Sequence, residues 1–192
     1  MKTIGNMILL KYGNTNTFWI NGLLIDTDYA GTLGAFYKAI KQHEVKVSDL
    51  KYVLATHYHP DHCGLIGELQ RQGVELVLME EQVESTHFSN PIFQRDGVDY
   101  VPVEEKKARV LRCADSRAFL NTIGIQGEIV STPNHSRDSV SVILDSGDCF
   151  VGDLQRREYD PEQDDWKRVM SFRPKRIHYA HGPMAEVTGD ER

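Results

Sequence analysis

Cysteine is scarce in this chain: Cys63, Cys113 and Cys149 are three in 192 residues and lie far apart. That excludes a small disulfide framework, and the odd count of separate thiols predicts reduced cysteines and a cytoplasmic protein. Long apolar runs are missing too. No stretch approaches the roughly 18 residues of a membrane span, so no membrane partner is expected. The opening residues, MKTIGNMILLKYGNTN, hold a short apolar run that meets Lys11 at once, without the small-residue pattern of a cleavable leader. Nor is there an excess of positive charge. Lys and Arg number 22 against 28 Asp and Glu, a formal charge of −6, so no nucleic-acid partner is expected. Arg156, Arg157, Lys167 and Arg168 make a local basic cluster, but acids lie among them and mark a solvated surface. Repeats, low-complexity tracts and Pro/Gly-rich linkers are absent, so residues 1–192 are expected to form a single domain with a substantial core.

What is present is an alternation of short β-like and helical segments. Ile8 to Lys11, Thr17 to Ile20 and Leu23 to Asp26 read as strands, and Asn21-Gly22 between the last two is a hairpin signal. Leu33, Phe36, Tyr37 and Ile40 recur at helical spacing, which predicts a helix over Gly31 to His43. Tyr52 to Ala55 reads as a buried strand, Leu65, Ile66 and Leu69 as a helix ending near Gly73, and Val74 to Leu78 as another strand. A short helix is predicted over Glu80 to Thr86, with Pro91 and Pro102 breaking the segment after it. Asp115 or Ser116 is suited to cap a helix carrying Ala118, Phe119 and Ile123. Strands are predicted at Ile125 to Val130, Val140 to Leu144, Cys149 to Val151 and Arg176 to Ala180, with a late helix marked by Trp166, Val169 and Met170. Strands lead both halves and helices come after them, which predicts an α/β fold with a pair of sheets between helices.

The chemistry concentrates in one loop. Directly after the Tyr52 to Ala55 strand come His57, His59, Asp61 and His62, interrupted by Pro60. Imidazole nitrogen and carboxylate oxygen both suit zinc, and a loop at a strand end can aim several side chains at one point. The cluster is expected to bind metal. Four donors in one loop rarely complete a two-metal site, so further donors are expected downstream. His135 after Ser131-Thr132-Pro133-Asn134, Asp153 after Val151-Gly152 and His181 before Gly182 all lie at strand ends.

The set and its order resemble the metallo-β-lactamase-fold hydrolases. The resemblance rests on Leu24-Ile25-Asp26-Thr27, the His-x-His-x-Asp-His run at His57 to His62, Thr132-Pro133-Asn134-His135-Ser136, Gly152-Asp153 and His181-Gly182, and spans nearly the whole chain. It implies a four-layer αβ/βα sandwich. It implies that His57, His59 and His135 hold one metal, that Asp61, His62 and His181 hold a second, and that Asp153 bridges them. The cofactors implied are two divalent ions, zinc first, with iron or manganese as alternatives. Asp61 is then also a candidate catalytic residue, orienting water or shuttling a proton. The function implied is activation of water for attack on a small-molecule ester, thioester, lactone or phosphoester. The alternative within the same fold is a persulfide dioxygenase-like enzyme with one iron. A non-enzymatic metal-binding protein is disfavoured by the intact donor set.

Other residues have blander readings. In the family an Asp matching Asp26 supports the histidine loop; plain turn capping suits it equally. Ser136, Asp138 and Ser139 are expected to fix the His135 loop, and Cys63 to be a small buried residue at a helix start. His178 is expected in core or surface, and His43 and His87 in solvent. Tyr159 is a candidate substrate contact, and residues from Met79 to Lys107 are expected to wall the pocket. Asn134 stands where a glycine usually precedes the third histidine, and Asp28 where a glycine commonly comes after Asp-Thr; Asn134 tolerates a left-handed turn there.

Overall fold

In the computed structural model, residues 7–155 and 164–188 are described; Arg156, Arg157 and Tyr159 lie outside them. The chain begins with an antiparallel meander, β1 (Ile8–Leu10), β2 (Thr17–Ile20) and β3 (Leu23–Ile25). Asn21 and Gly22 turn the second hairpin with φ of 47° and 92°, the left-handed pair that a tight hairpin requires. Helix α1 (Leu33–Gln42) leads to β4 (Tyr52–Leu54), α2 (Pro60–Cys63) and α3 (Ile66–Arg71) to β5 (Glu75–Met79), and α4 (Asn90–Arg95) to β6 (Arg109–Leu111). The first sheet runs β1-β2-β3-β4-β5-β6, with β3 to β6 parallel.

Helix α5 (Cys113–Thr122) then feeds the second sheet. Its strands are β7 (Gly127–Ser131), β8 (Val140–Leu144), β9 (Asp148–Phe150), β10 (Arg176–His178) and β11 (Ala185–Glu186), with α6 (Asp164–Ser171) between β9 and β10. They lie in the order β11-β10-β9-β8-β7, and only β9 and β10 pair in parallel.

Successive strand residues point to opposite faces, and that alternation builds four layers. Leu24, Val53, Leu76 and Leu78 face outward and pack with Phe36, Ile40, Ile66 and Leu69 of the helices. Their neighbours Leu23, Ile25, Leu54, Val77 and Met79 face inward, against Ile129, Val140, Val142, Leu144 and Phe150 of the second sheet. On the far side, Ile143, Cys149 and Ile177 meet Trp166 and Val169 of α6. The α/β fold and its αβ/βα sandwich are therefore as the sequence predicted. All three cysteines are free thiols, and among the described residues no helix is long and apolar enough to cross a membrane.

Several local expectations need correction. The predicted helix over 80–86 is only a 3-10 turn at Glu80–Gln82, because Glu84 adopts φ 74° and cannot continue a right-handed helix. Pro91 does not break structure; it sits in the first turn of α4, where its missing N–H costs nothing. Arg112, not Asp115 or Ser116, occupies the position before α5. Ser116 lies inside the helix, where its hydroxyl donates to the Cys113 carbonyl (2.6 Å) and accepts the Ile129 N–H (2.9 Å), tying α5 to β7. Asn134 needs no left-handed backbone; its N–H is held by the buried Asp165 carboxylate at 2.6 Å. Strands β6 and β11 were not expected.

Candidate metal centre

All seven candidate donors lie in the segments that follow β4, β7, β9 and β10 and come together on one rim of the sandwich. His57 and His59 come after β4, and Pro60 then starts α2, which carries Asp61 and His62. His135 follows β7, Asp153 follows β9 and His181 follows β10. The first loop is fixed from beneath by Asp26, 2 % exposed, which leaves β3 with φ 58°. Its carboxylate accepts the Thr56 N–H (2.6 Å) and hydroxyl (2.9 Å), and lies 3.1 Å from His62 Nδ1. A carboxylate there fixes the hydrogen on Nδ1 and turns Nε2 toward the cluster, where it offers its lone pair once a metal displaces the second proton. Asp26 thus supports the loop and is more than a turn cap. Gly152 sets Asp153: a Cβ on it would lie 2.5 Å from Thr56 Oγ1, so the β9 end approaches the histidine loop only with glycine there.

The donors fall into three overlapping groups: His57, His59 and His135; Asp61, His62 and His181; and His57, His62 and Asp153, each with donor atoms within 4.8 Å of one another. Asp153 sits between the first two. Its Oδ2 lies 3.9, 3.5 and 3.6 Å from Nε2 of His57, His62 and His135, and its Oδ1 lies 3.5 Å from His181 Nε2. His181 Nε2 is 3.1 Å from Asp61 Oδ2, and His135 Nε2 is 3.2 Å from His59 Nδ1.

Burial, then His62, push His57 down to about 2, so its imidazole is neutral with a free lone pair. Burial also pulls His62 down, but Asp26 and Asp153 outweigh it and raise it to about 10. Burial opposes ionisation of Asp153, yet His62, His57 and His181 hold its carboxyl well below the usual range. His135 is lowered, mainly by burial.

Three of these atoms, His57 Nε2, His62 Nε2 and Asp153 Oδ1, are buried and make no hydrogen bond. Buried polar atoms are ordinarily paired, and orphaned ones call for an explanation. Here they face one another inside a shell of imidazole nitrogens and carboxylate oxygens, a donor set that suits a divalent cation. The residues present therefore fit metal ions.

The surrounding expectations hold, except that Cys63 closes α2 and does not start a helix. Ser136 Oγ donates to Asp138 (2.8 Å), and Asp138 accepts the Tyr58 N–H (2.8 Å), so this segment braces the His135 loop against the His57 loop. Cys63 is buried, with a thiol that burial pushes up to about 12, and it stands outside the donor groups. His178 is buried on Asp148 (2.8 Å), while His43 and His87 are exposed. From the 79–107 segment, Glu84, Ser85 and Phe88 line a cleft beside His59, together with Arg137. Phe88 is 57 % exposed, its ring 5.5 Å from that of His59.

Sequence reasoning missed Gln82. Fully buried, it donates to the Ala55 carbonyl (2.8 Å) and the Asp138 carbonyl (3.2 Å), joining the two donor loops. A lone glutamine after a strand carries no signal for that role. Asn16, which holds the carbonyls around His181, was missed for the same reason.

Residues 4–183 match the family model described as the metallo-beta-lactamase superfamily. A beta-lactamase-like protein 2 homolog of Drosophila melanogaster is 24% identical over 189 residues, covering 90% of this chain and 60% of its own. A metallo-beta-lactamase fold-containing protein of Sulfurisphaera tokodaii is 24% identical over 165 residues, covering 69% of this chain and 60% of its own. The chain thus spans about 60% of the length of these curated relatives. Among solved structures, TTHA1623 in a di-iron-bound form superposes with a TM-score of 0.68 at 19% identity, covering 94% of both chains. At that identity the likeness speaks for the fold alone.

Proposed function

The chain belongs to the metallo-beta-lactamase superfamily, and from that premise we propose that it is a metal-dependent hydrolase of small esters, thioesters, lactones or phosphoesters. In this reading His57, His59 and His135 hold one divalent ion, Asp61, His62 and His181 hold a second, and Asp153 lies between them. The observation that carries it is the set of buried atoms without a hydrogen bond, His57 Nε2, His62 Nε2 and Asp153 Oδ1, converging within the donor cluster. Zinc is the first choice of ion; iron and manganese accept the same donors.

When bound, such an ion pair lowers the pKa of water toward 7 and polarises a carbonyl or phosphoryl oxygen. The chain's own residues supply the rest. Asp61, with a third of its side chain exposed at the rim, orients the attacking water and takes its proton on a carboxylate oxygen. Asp26, which also accepts the Thr56 hydroxyl, keeps the hydrogen of His62 on Nδ1. The cleft between Phe88 and Arg137 receives the substrate's variable group, and the opening lined by Leu154, Gln155 and Tyr179 admits it from the other side.

The test is metal analysis of the purified protein, followed by thioester, lactone, phosphodiester and cephalosporin reporters with zinc and, separately, manganese. The expected result is two metals per chain and hydrolysis of at least one reporter class, with His59→Ala and Asp153→Ala losing hydrolysis and binding less metal. Full activity and full metal content in either variant would refute the assignment. Iron as the bound metal, with oxygen consumed on a persulfide, would favour the dioxygenase reading instead.

A further inference from the structure

His62 is held by Asp26, but His181 lies in a turn after β10 and is the most exposed of the histidine donors, at 41 %. Its support comes from the other end of the chain. Asn16, buried just before β2, takes three carbonyls around it. The Asn16 N–H donates to Ala180 O at 2.8 Å, and its side-chain amide nitrogen donates to Tyr179 O at 2.9 Å and Gly182 O at 2.8 Å. Both side-chain partners are carbonyls, which only accept, so the amide nitrogen and not its oxygen must face them. Two residues earlier, the Asn14 carbonyl lies 3.2 Å from His181 Nδ1. That bond too exists only with the hydrogen on Nδ1. It leaves the Nε2 lone pair directed at the Asp61 and Asp153 side of the cluster.

The segment from Gly13 to Asn16 is itself anchored. Asp28, 3 % exposed, accepts the Thr15 N–H at 2.9 Å on one oxygen and the Tyr29 N–H at 2.6 Å on the other. A Cβ on Gly13 would lie 2.0 Å from Asp28 Oδ2, so the segment seats there only with glycine. A continuous set of contacts therefore runs from Asp28 through the segment to His181. Among the described residues, no hydrogen bond runs from this segment to His57, His59 or His135.

We infer that Asn16 is a positioning residue for His181, and that the Gly13–Asn16 segment governs occupancy of the Asp61–His62–His181 group separately from that of His57, His59 and His135. This rests on the proposed two-metal reading. Loss of a partner that orients a metal-binding histidine typically weakens metal affinity by about 10–100-fold.

The experiment strips the full chain with chelator, titrates it with zinc, and counts bound metal by mass spectrometry after gel filtration. Cobalt titration read by absorbance resolves the two affinities. Wild type is expected to take up two ions. Asn16→Ala is expected to keep one at unchanged affinity and bind the other at least about tenfold more weakly. Asn16→Asp, which keeps the volume but turns a carboxylate toward the carbonyls, is expected to do the same and covers the case in which the alanine variant fails to fold. Two ions at wild-type affinity in both variants would overturn the inference. So would loss of both ions together, or of the fold, in both variants, because that marks a general scaffold role. Wild-type protein that binds fewer than two ions overturns the two-metal reading itself, and with it this one.

Discussion

Replacing Asp26 with Asn tests how the histidine loop is held. Asn keeps the shape and tolerates the φ of 58° at this position, so the backbone is undisturbed. What changes is the acceptor count. The carboxylate serves the Thr56 N–H, the Thr56 hydroxyl and His62 Nδ1 with two oxygens. The amide has one oxygen and presents an NH2 to whichever donor faces the other side. One bond to a charged acceptor is lost in a buried site, which costs about 2 kcal/mol. For a chain of this length that lowers the melting temperature by about 4–8 °C. If the NH2 faces His62, the hydrogen moves from Nδ1 to Nε2, and the nitrogen facing the cluster can no longer donate a lone pair. Melting in chelator reads the first effect, and zinc titration reads the second as about 10–100-fold weaker binding of one ion. A melting temperature within about 1 °C of wild type, together with unchanged zinc binding, would refute the supporting role assigned to Asp26.

Two further outcomes are expected. Phe88→Ala removes an exposed ring at the mouth; KM for reporters with apolar variable groups should rise about tenfold, the equivalent of about 1.4 kcal/mol of lost contact, with metal content unchanged. An unchanged KM would place the substrate elsewhere. Arg176→Gln removes the partner that holds Asp148 at 2.6 and 2.7 Å. Burial raises the Asp148 carboxyl, but Arg176, His178 and Ser146 outweigh it and depress it. A depressed carboxyl stabilises the fold above its unfolded pKa and loses that contribution as pH falls. The variant should therefore be less stable by about 1 kcal/mol at neutral pH, a figure held low because Arg176 is more than a third exposed. The difference should shrink as the pH falls below about 4. Denaturant melts across pH decide it; a difference that grows in acid contradicts the assignment.

The cluster of candidate donors was legible in the sequence because its members are rare residue types in telling places. Three histidines and an aspartate share one segment after β4, and His135, Asp153 and His181 each come shortly after a strand, beside a turn-former. The two sheets were legible because Leu23 to Ile25, Tyr52 to Leu54 and Val140 to Leu144 are compact apolar runs. Strand β6, Arg109–Leu111, was not, since two of its three residues are exposed and its place is set by pairing with β5. Helix α4 is hidden because a proline reads as a breaker unless it falls in the first turn of a helix, as Pro91 does. Asn16 and Gln82 act through backbone carbonyls of distant segments, and nothing in a residue's own neighbourhood reports such a partner.

The seven donors are divided between the two sheets: His57, His59, Asp61 and His62 descend from β4, and His135, Asp153 and His181 from β7, β9 and β10. Each proposed ion would therefore be gripped from both sides of the sandwich at once. Such a grip is a reversible cross-link between remote parts of the chain, governed by metal supply as a disulfide is governed by oxidant. A ligand that binds only the folded chain stabilises it by about 2.7 kcal/mol at a hundredfold excess over its Kd. Scarcity of metal would then do more than stop turnover. It would release the clasp at one rim of the molecule and shorten the time the protein survives proteolysis.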